Sequence, residues 1–187
     1  MALGDDEERL RSATIGELDL HQGPITLVDY QPEWPLLFAV EADRIRDALG
    51  ERVIKLEHVG STAVPGLAAK PVIDIVLAVA NSSHERSYVP PLEAAGYVLR
   101  IREPEWCEHR MFRDSEPNVN LHVFSADCAE VERMVRFRDH LRANEADRRL
   151  YEQAKRELAQ REWQYVQNYA DAKSGIVGEI LARAARS

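Results

Sequence analysis

The chain has 187 residues, 45% of them apolar and 30% charged, which suits one globular domain with a hydrophobic core and excludes a disordered or fibrous chain. Its 24 basic residues against 32 acidic ones give a net charge of −8, so no broad basic face exists to neutralise the phosphates of a duplex, and nucleic acid is disfavoured as a partner. No run of about 18 apolar residues offers a membrane span, and the acidic N-terminus lacks the positive start of a signal peptide; with Cys107 and Cys128 isolated from any metal-ligand spacing, a reduced cytoplasmic protein is expected.

Residues 1–24 hold six acids (Asp5, Asp6, Glu7, Glu8, Glu17, Asp19) and two bases (Arg9, Arg11) with little apolar periodicity, so an acidic, mobile arm is expected ahead of a domain spanning 25–187. Ile25 to Tyr30 reads as a short strand. Pro35 suits the first turn of a helix that Gly50 ends, with Leu37, Val40, Ile45 and Leu49 as its buried stripe. Val53 to Val59 alternates like a strand, with His58 at its end. Pro71 to Val79 is apolar on both faces, which marks a central strand covered on each side, and Asp74 is its one acid.

Ser82 and Glu85 have the spacing of a capping box for a helix that Gly96 stops. Val98 to Arg102, Cys107 to Arg113 and Val119 to Phe124 read as three antiparallel strands, since the connections are short. Helices follow from Asp127 to about Ala143, over 145–160 and over 163–185. The expected fold class is α/β (α+β): a mixed β-sheet with flanking helices and a C-terminal helical segment.

Chemistry concentrates between His58 and Asp74. Gly60 permits close backbone approach, and Ser61 and Thr62 can cap a short helix whose free N–H groups attract phosphate, although an ordinary helix cap has the same residues. The spacing is not that of a P-loop, because five residues separate Gly60 from Gly66 and Lys70 follows no glycine. Asp74 needs a cation, a proton or hydrogen bonds, since an unpaired charge in an apolar strand costs several kcal/mol; Lys70 or a divalent metal would serve.

Other candidates surround this centre. His122 shares a strand face with Asn118 and Asn120, and His122 or His58 would serve as acid/base groups, as metal ligands beside Asp74, or as satisfied strand-end histidines. Arg110 faces away from Met111 and is a candidate for the same cleft as His122. Arg138 and Arg142 lie on one helical face, as phosphate ligands or as solvated ion pairs. Tyr165, Tyr169 and Lys173 recur every four residues, a stripe for stacking a base or for packing.

The segment His58-Val-Gly-Ser-Thr-Ala-Val-Pro-Gly-Leu-Ala-Ala-Lys-Pro-Val-Ile-Asp-Ile resembles the signature of the GrpB-like family, as do Asp29-Tyr-Gln-Pro-Glu-Trp34, Asn120-Leu-His-Val, Phe137-Arg-Asp-His-Leu-Arg142 and Tyr169-Ala-Asp-Ala-Lys173. The resemblance implies a nucleotidyltransferase-like fold, with Gly60 and Ser61 on the phosphates of a nucleotide or phosphorylated small molecule and Asp74 as the first acid of an Asp-x-Asp pair holding Mg or Mn. The second acid of that pair is Val76 here, which weakens a magnesium site that relies on several carboxylates. Thr62, Lys70, Arg110, Arg138, Tyr169 and Lys173 complete the expected phosphate and nucleotide contacts, with Asp74 and His122 as the catalytic pair. The family's occurrence fused to dephospho-CoA kinase implies a second reading, an accessory ligand-binding module partnering that kinase; the pocket residues themselves leave a third, an acid/base enzyme using Asp74 and His122 on a small polar substrate.

Overall fold

The computed structural model describes residues 3–18, 24–114, 116 and 118–186, with side chains from Glu7 onward. Among these residues seven α-helices and five strands follow in the order α1 (Leu3–Ala13), α2 (Trp34–Leu49), β1 (Lys55–Val59), β2 (Ile73–Val79), α3 (Val89–Ala94), β3 (Val98–Glu103), β4 (His109–Asp114), β5 (Val119–Ser125), α4 (Ala129–Ala143), α5 (Glu145–Ala159), α6 (Val166–Ala172) and α7 (Ser174–Ala184). The strands form one mixed sheet in the order β1-β2-β5-β4-β3, the α+β architecture that the sequence implies. Only β2 and β5 run parallel; the other neighbours are antiparallel. Among the described residues no helix is long and apolar enough to cross a membrane.

Strand alternation sorts the two faces of the sheet. Ile73, Ile75, Leu77 and Val79 of β2 join Val119, Leu121 and Val123 of β5 in the larger core, under Trp34, Ile45 and Leu49 of α2 and Leu92 of α3. The even-numbered residues point the other way. Val76, Ala78 and Phe124 pack beneath Val131 of α4, while Asp74, Asn120 and His122 line an open cleft. Leu141, Tyr151 and Ile180 then bind α4, α5 and α7 together around Val64 and Leu67.

Several local expectations change. The stripe of α2 is Trp34, Ala42, Ile45 and Leu49, because Leu37 and Val40 lie on its exposed side. Ile25 to Tyr30 contributes only an isolated bridge, Val28 to Ala69, instead of a strand. The helix expected from Ser82 begins at Val89. Glu85 does not cap it, because its carboxylate is taken by Arg102 at 2.6 Å and Arg110 at 2.5 Å. The C-terminal helical stretch is broken at Lys173, between α6 and α7.

Part of the acidic arm, residues 1, 2 and 19–23, lies outside the described residues. Within the rest, α1 buries Leu10, and the Ile15 N–H bonds the Arg100 carbonyl at 2.8 Å, so the segment covers the outer edge of β3.

Candidate functional site

The cleft begins where β1 hands over to β2. Val59 pairs opposite Asp74, so the chain leaving β1 turns directly across the Asp74 side chain. Gly60 makes this turn with φ 69°, a left-handed conformation that favours glycine, and Ser61–Ala63 follow as one turn of 3-10 helix. The Thr62 hydroxyl donates to the Val72 carbonyl at 3.0 Å and accepts from His58 Nε2 at 3.0 Å, which ties the turn to the start of β2. Thr62 is thereby committed to the fold. His58 stacks on Phe38 at 4.9 Å, on the sheet face opposite Asp74, and burial, aided by Arg142 and Arg138, pushes its pKa down to about 4. It is a neutral packing residue outside the cleft.

Beneath the turn lies a residue that sequence reasoning missed. Lys155 of α5 is 2% exposed, and its Nζ donates to Ser61 Oγ at 3.1 Å and to the Ala68 carbonyl. The Tyr151 ring centre is 5.0 Å away. Among the described residues no carboxylate forms an ion pair with Lys155. Burial, with Lys173 adding to it, pushes its pKa down to about 7. A signal for it existed: Tyr151, Lys155 and Leu158 fall at i, i+4 and i+7, so this lysine sits on the apolar stripe of its helix.

Lys70 and Lys173 line the same cleft, and burial lowers the pKa of each. Lys173 Nζ lies 4.5 Å from the centre of the Tyr169 ring. The Tyr169 hydroxyl, buried on the cleft wall, has no hydrogen-bond partner among the described residues. Asp74 faces these groups with its side chain 29% exposed. Burial raises its pKa, against the opposing pull of the Asn120 hydrogen bond, Lys173 and Lys70.

On the sheet, register builds the other wall. Asp74 pairs with Asn120 in the parallel ladder, and His122 pairs with Met111 in the antiparallel one, which aligns their side chains on one face. Asn120 Nδ2 donates to Asp74 Oδ1 at 2.9 Å. His122 Nε2 stands 4.0 Å from the same oxygen. His122 Nδ1 bonds His109 Nε2 at 3.1 Å, and His109 Nδ1 bonds Glu103 Oε2 at 2.8 Å. Burial, with His109 and Arg113, pushes the His122 pKa down to about 3, so the ring is neutral. The cleft encloses about 960 Å³, with Trp106 at its edge.

Two expected phosphate ligands lie elsewhere. Arg110 pairs with Val123, on the face opposite Met111 and His122, and its Nε bonds Glu85 at 2.5 Å. The antiparallel register forces this, since directly opposed residues share a face. Arg138 is 7% exposed and bonds Glu57 at 2.7 Å, the His58 carbonyl at 2.8 Å and Asp139 at 2.8 Å, so it clamps α4 to β1.

The expected metal site meets a poor donor set. Val76 is fully buried under α4. Asp74 and His122 approach each other, but among the described residues no three His, Cys, Asp or Glu side chains are arranged to hold a metal ion. Lys70 and Lys173 add positive charge beside the same carboxylate. Magnesium and manganese favour several hard oxygen ligands, so these residues do not fit such an ion.

Comparison with known proteins places the chain in a family and matches its fold. The profile of the family described as GrpB protein matches residues 24–183. A protein of Halalkalibacterium halodurans called UPF0157 protein is 57% identical over 178 residues, 95% of this chain and 91% of the relative. The crystal structure of conserved protein GrpB from Enterococcus faecalis superposes with a TM-score of 0.74 at 30% identity, covering 85% of this chain and 96% of that one. A dephospho-CoA kinase of Mycolicibacterium paratuberculosis is 43% identical over 79 residues, 41% of this chain and 19% of the kinase.

Proposed function

The chain belongs to the GrpB family, and we propose that it is a nucleotidyltransferase-like enzyme acting on a nucleotide or phosphorylated small molecule, with the phosphate at the Gly60-Ser61 turn. One observation carries this reading: Lys155 is a buried cation without a carboxylate partner among the described residues, held against Ser61 on the cleft wall. A buried ammonium with no carboxylate in contact is costly, since Glu152 attracts it only from beyond ion-pair distance, and an anionic ligand supplies a closer charge. Lys70 and Lys173 enlarge the positive field, and the Tyr169 hydroxyl, without a partner among the described residues, offers one more hydrogen bond. Across the cleft, Asp74 with its raised pKa and a neutral His122 form an acid/base pair for the reacting polar group of the ligand.

Thermal denaturation against nucleoside triphosphates, CoA precursors and sugar phosphates, each with and without Mg or Mn, tests the reading. A phosphorylated ligand is expected to raise Tm without added metal, and Lys155→Met to abolish that shift. Asp74→Asn is expected to keep binding and lose turnover. The similarity to part of dephospho-CoA kinase favours a second reading, an accessory module. Stabilisation by that kinase and by none of the phosphorylated ligands would replace the enzyme reading with it.

A further inference from the structure

Glu103, His109 and His122 form an unbroken hydrogen-bonded string from the end of β3, across β4, to β5, with contacts of 2.8 and 3.1 Å. The chemistry of each partner fixes the next. A carboxylate only accepts, so His109 Nδ1 carries hydrogen. If that is the ring's one hydrogen, Nε2 accepts, His122 donates from Nδ1 and its own Nε2 keeps a bare lone pair; a second hydrogen on His109 would reverse the string and put one on His122 Nε2.

The other side of this nitrogen agrees. His122 Nε2 faces Asp74 Oδ1 at 4.0 Å, beyond hydrogen-bond length, although that oxygen accepts from Asn120 at 2.9 Å. A donor N–H on Nε2 would close on the oxygen. Two acceptors repel and stay apart, leaving a gap that suits a donor group from a ligand.

We propose that Glu103 and His109 are positioning residues that lock His122 in its Nδ1–H tautomer, so that Nε2 and Asp74 Oδ1 together accept a hydrogen bond from one hydroxyl or amino group of the ligand. The proposal rests on the cleft being the ligand site, and it adds a requirement on the substrate: besides its phosphate it carries a donor. Stacking holds the string rigid, with His109 4.7 Å from Phe124 and 5.3 Å from His122, while Trp106 stands edge-on to His109 at 5.1 Å.

Nitrogen-15 NMR of the histidine rings reads the tautomer directly, at one neutral pH and without any ligand. In the wild-type protein His122 is expected to show a protonated Nδ1 and an unprotonated Nε2. In Glu103→Gln, whose amide can donate as well as accept, the lock is lost and the Nε2–H form of His122 should appear; His109→Phe should give the same result. A wild-type His122 protonated at Nε2, or a tautomer unchanged in Glu103→Gln, overturns the proposal. Loss of the ligand-induced Tm shift in Lys155→Met is read separately, so the tautomer can fail while phosphate binding stands, and the reverse.

Discussion

Gly60 and Asp74 share one space: a Cβ built on Gly60 would lie 2.9 Å from the Asp74 Cβ and closer still to the Asp74 carboxylate. The turn and the acid are therefore packed as a unit, which fixes where the Ser61 hydroxyl stands relative to the carboxylate.

Gly60→Ala is expected to destabilise the protein. Its φ of 69° alone costs a non-glycine residue about 1–3 kcal/mol, and the contact with Asp74 adds to that. Tm should fall by at least about 2 °C in thermal denaturation. Asp74→Ala removes the closest atoms, so the double variant should lose less than the sum of the two single ones. Strict additivity would mean that the two residues are not in contact.

Lys155 gives the cleft a pH dependence. Its pKa is lowered from 10.5 to about 7, so between those values the unfolded chain holds a proton that the folded one has released, and stability rises with pH across that window. Lys155→Met removes this rise. Anion binding runs the other way, because it requires the ammonium. Sulfate, whose charge is constant here, should bind roughly tenfold more weakly for each pH unit above about 7. Calorimetric titration at pH 6 and pH 9 measures the difference, and equal affinities at both would count against Lys155 as the anchor.

His58 contributes an acid-labile element. Its folded pKa of about 4 lies below the ordinary 6.5, so as pH falls through this interval the unfolded state takes up the proton first and stability drops by about 3 kcal/mol. Urea unfolding at pH 7 and pH 4.5 should show a smaller loss in His58→Gln, whose amide can still donate to Thr62. An unchanged pH slope in that variant would place the acid sensitivity elsewhere.

Arg110 and Arg138 separate stability from binding. Each gives charge-assisted bonds to acids and carbonyls away from the cleft, so alanine at either position should cost about 2–3 kcal/mol of unfolding free energy. Ligand-induced Tm shifts should survive in both variants. A lost shift in Arg138→Ala with intact folding would return that residue to the binding site.

The sequence by itself determined the elements whose signals are local. Pro35 and Gly50 bracket α2, the two-sided apolar run marks β2 as a central strand, and Asp74 stands out as the one acid within it. The order of strand-like and helical stretches likewise set the α+β class. Faces and partners were decided only by the tertiary structure. Alternation told that Arg110 and Met111 point in opposite directions, but only pairing with β5 told which of them shares a face with His122. Lys155 meets Ser61 across 94 residues, and His109 meets His122 across 13, through contacts that depend on helix docking and strand register. Periodicity is a property of a few neighbouring residues, whereas a buried cation beside a hydroxyl is a property of two distant segments brought together by the core, and one segment read alone carries no trace of the other.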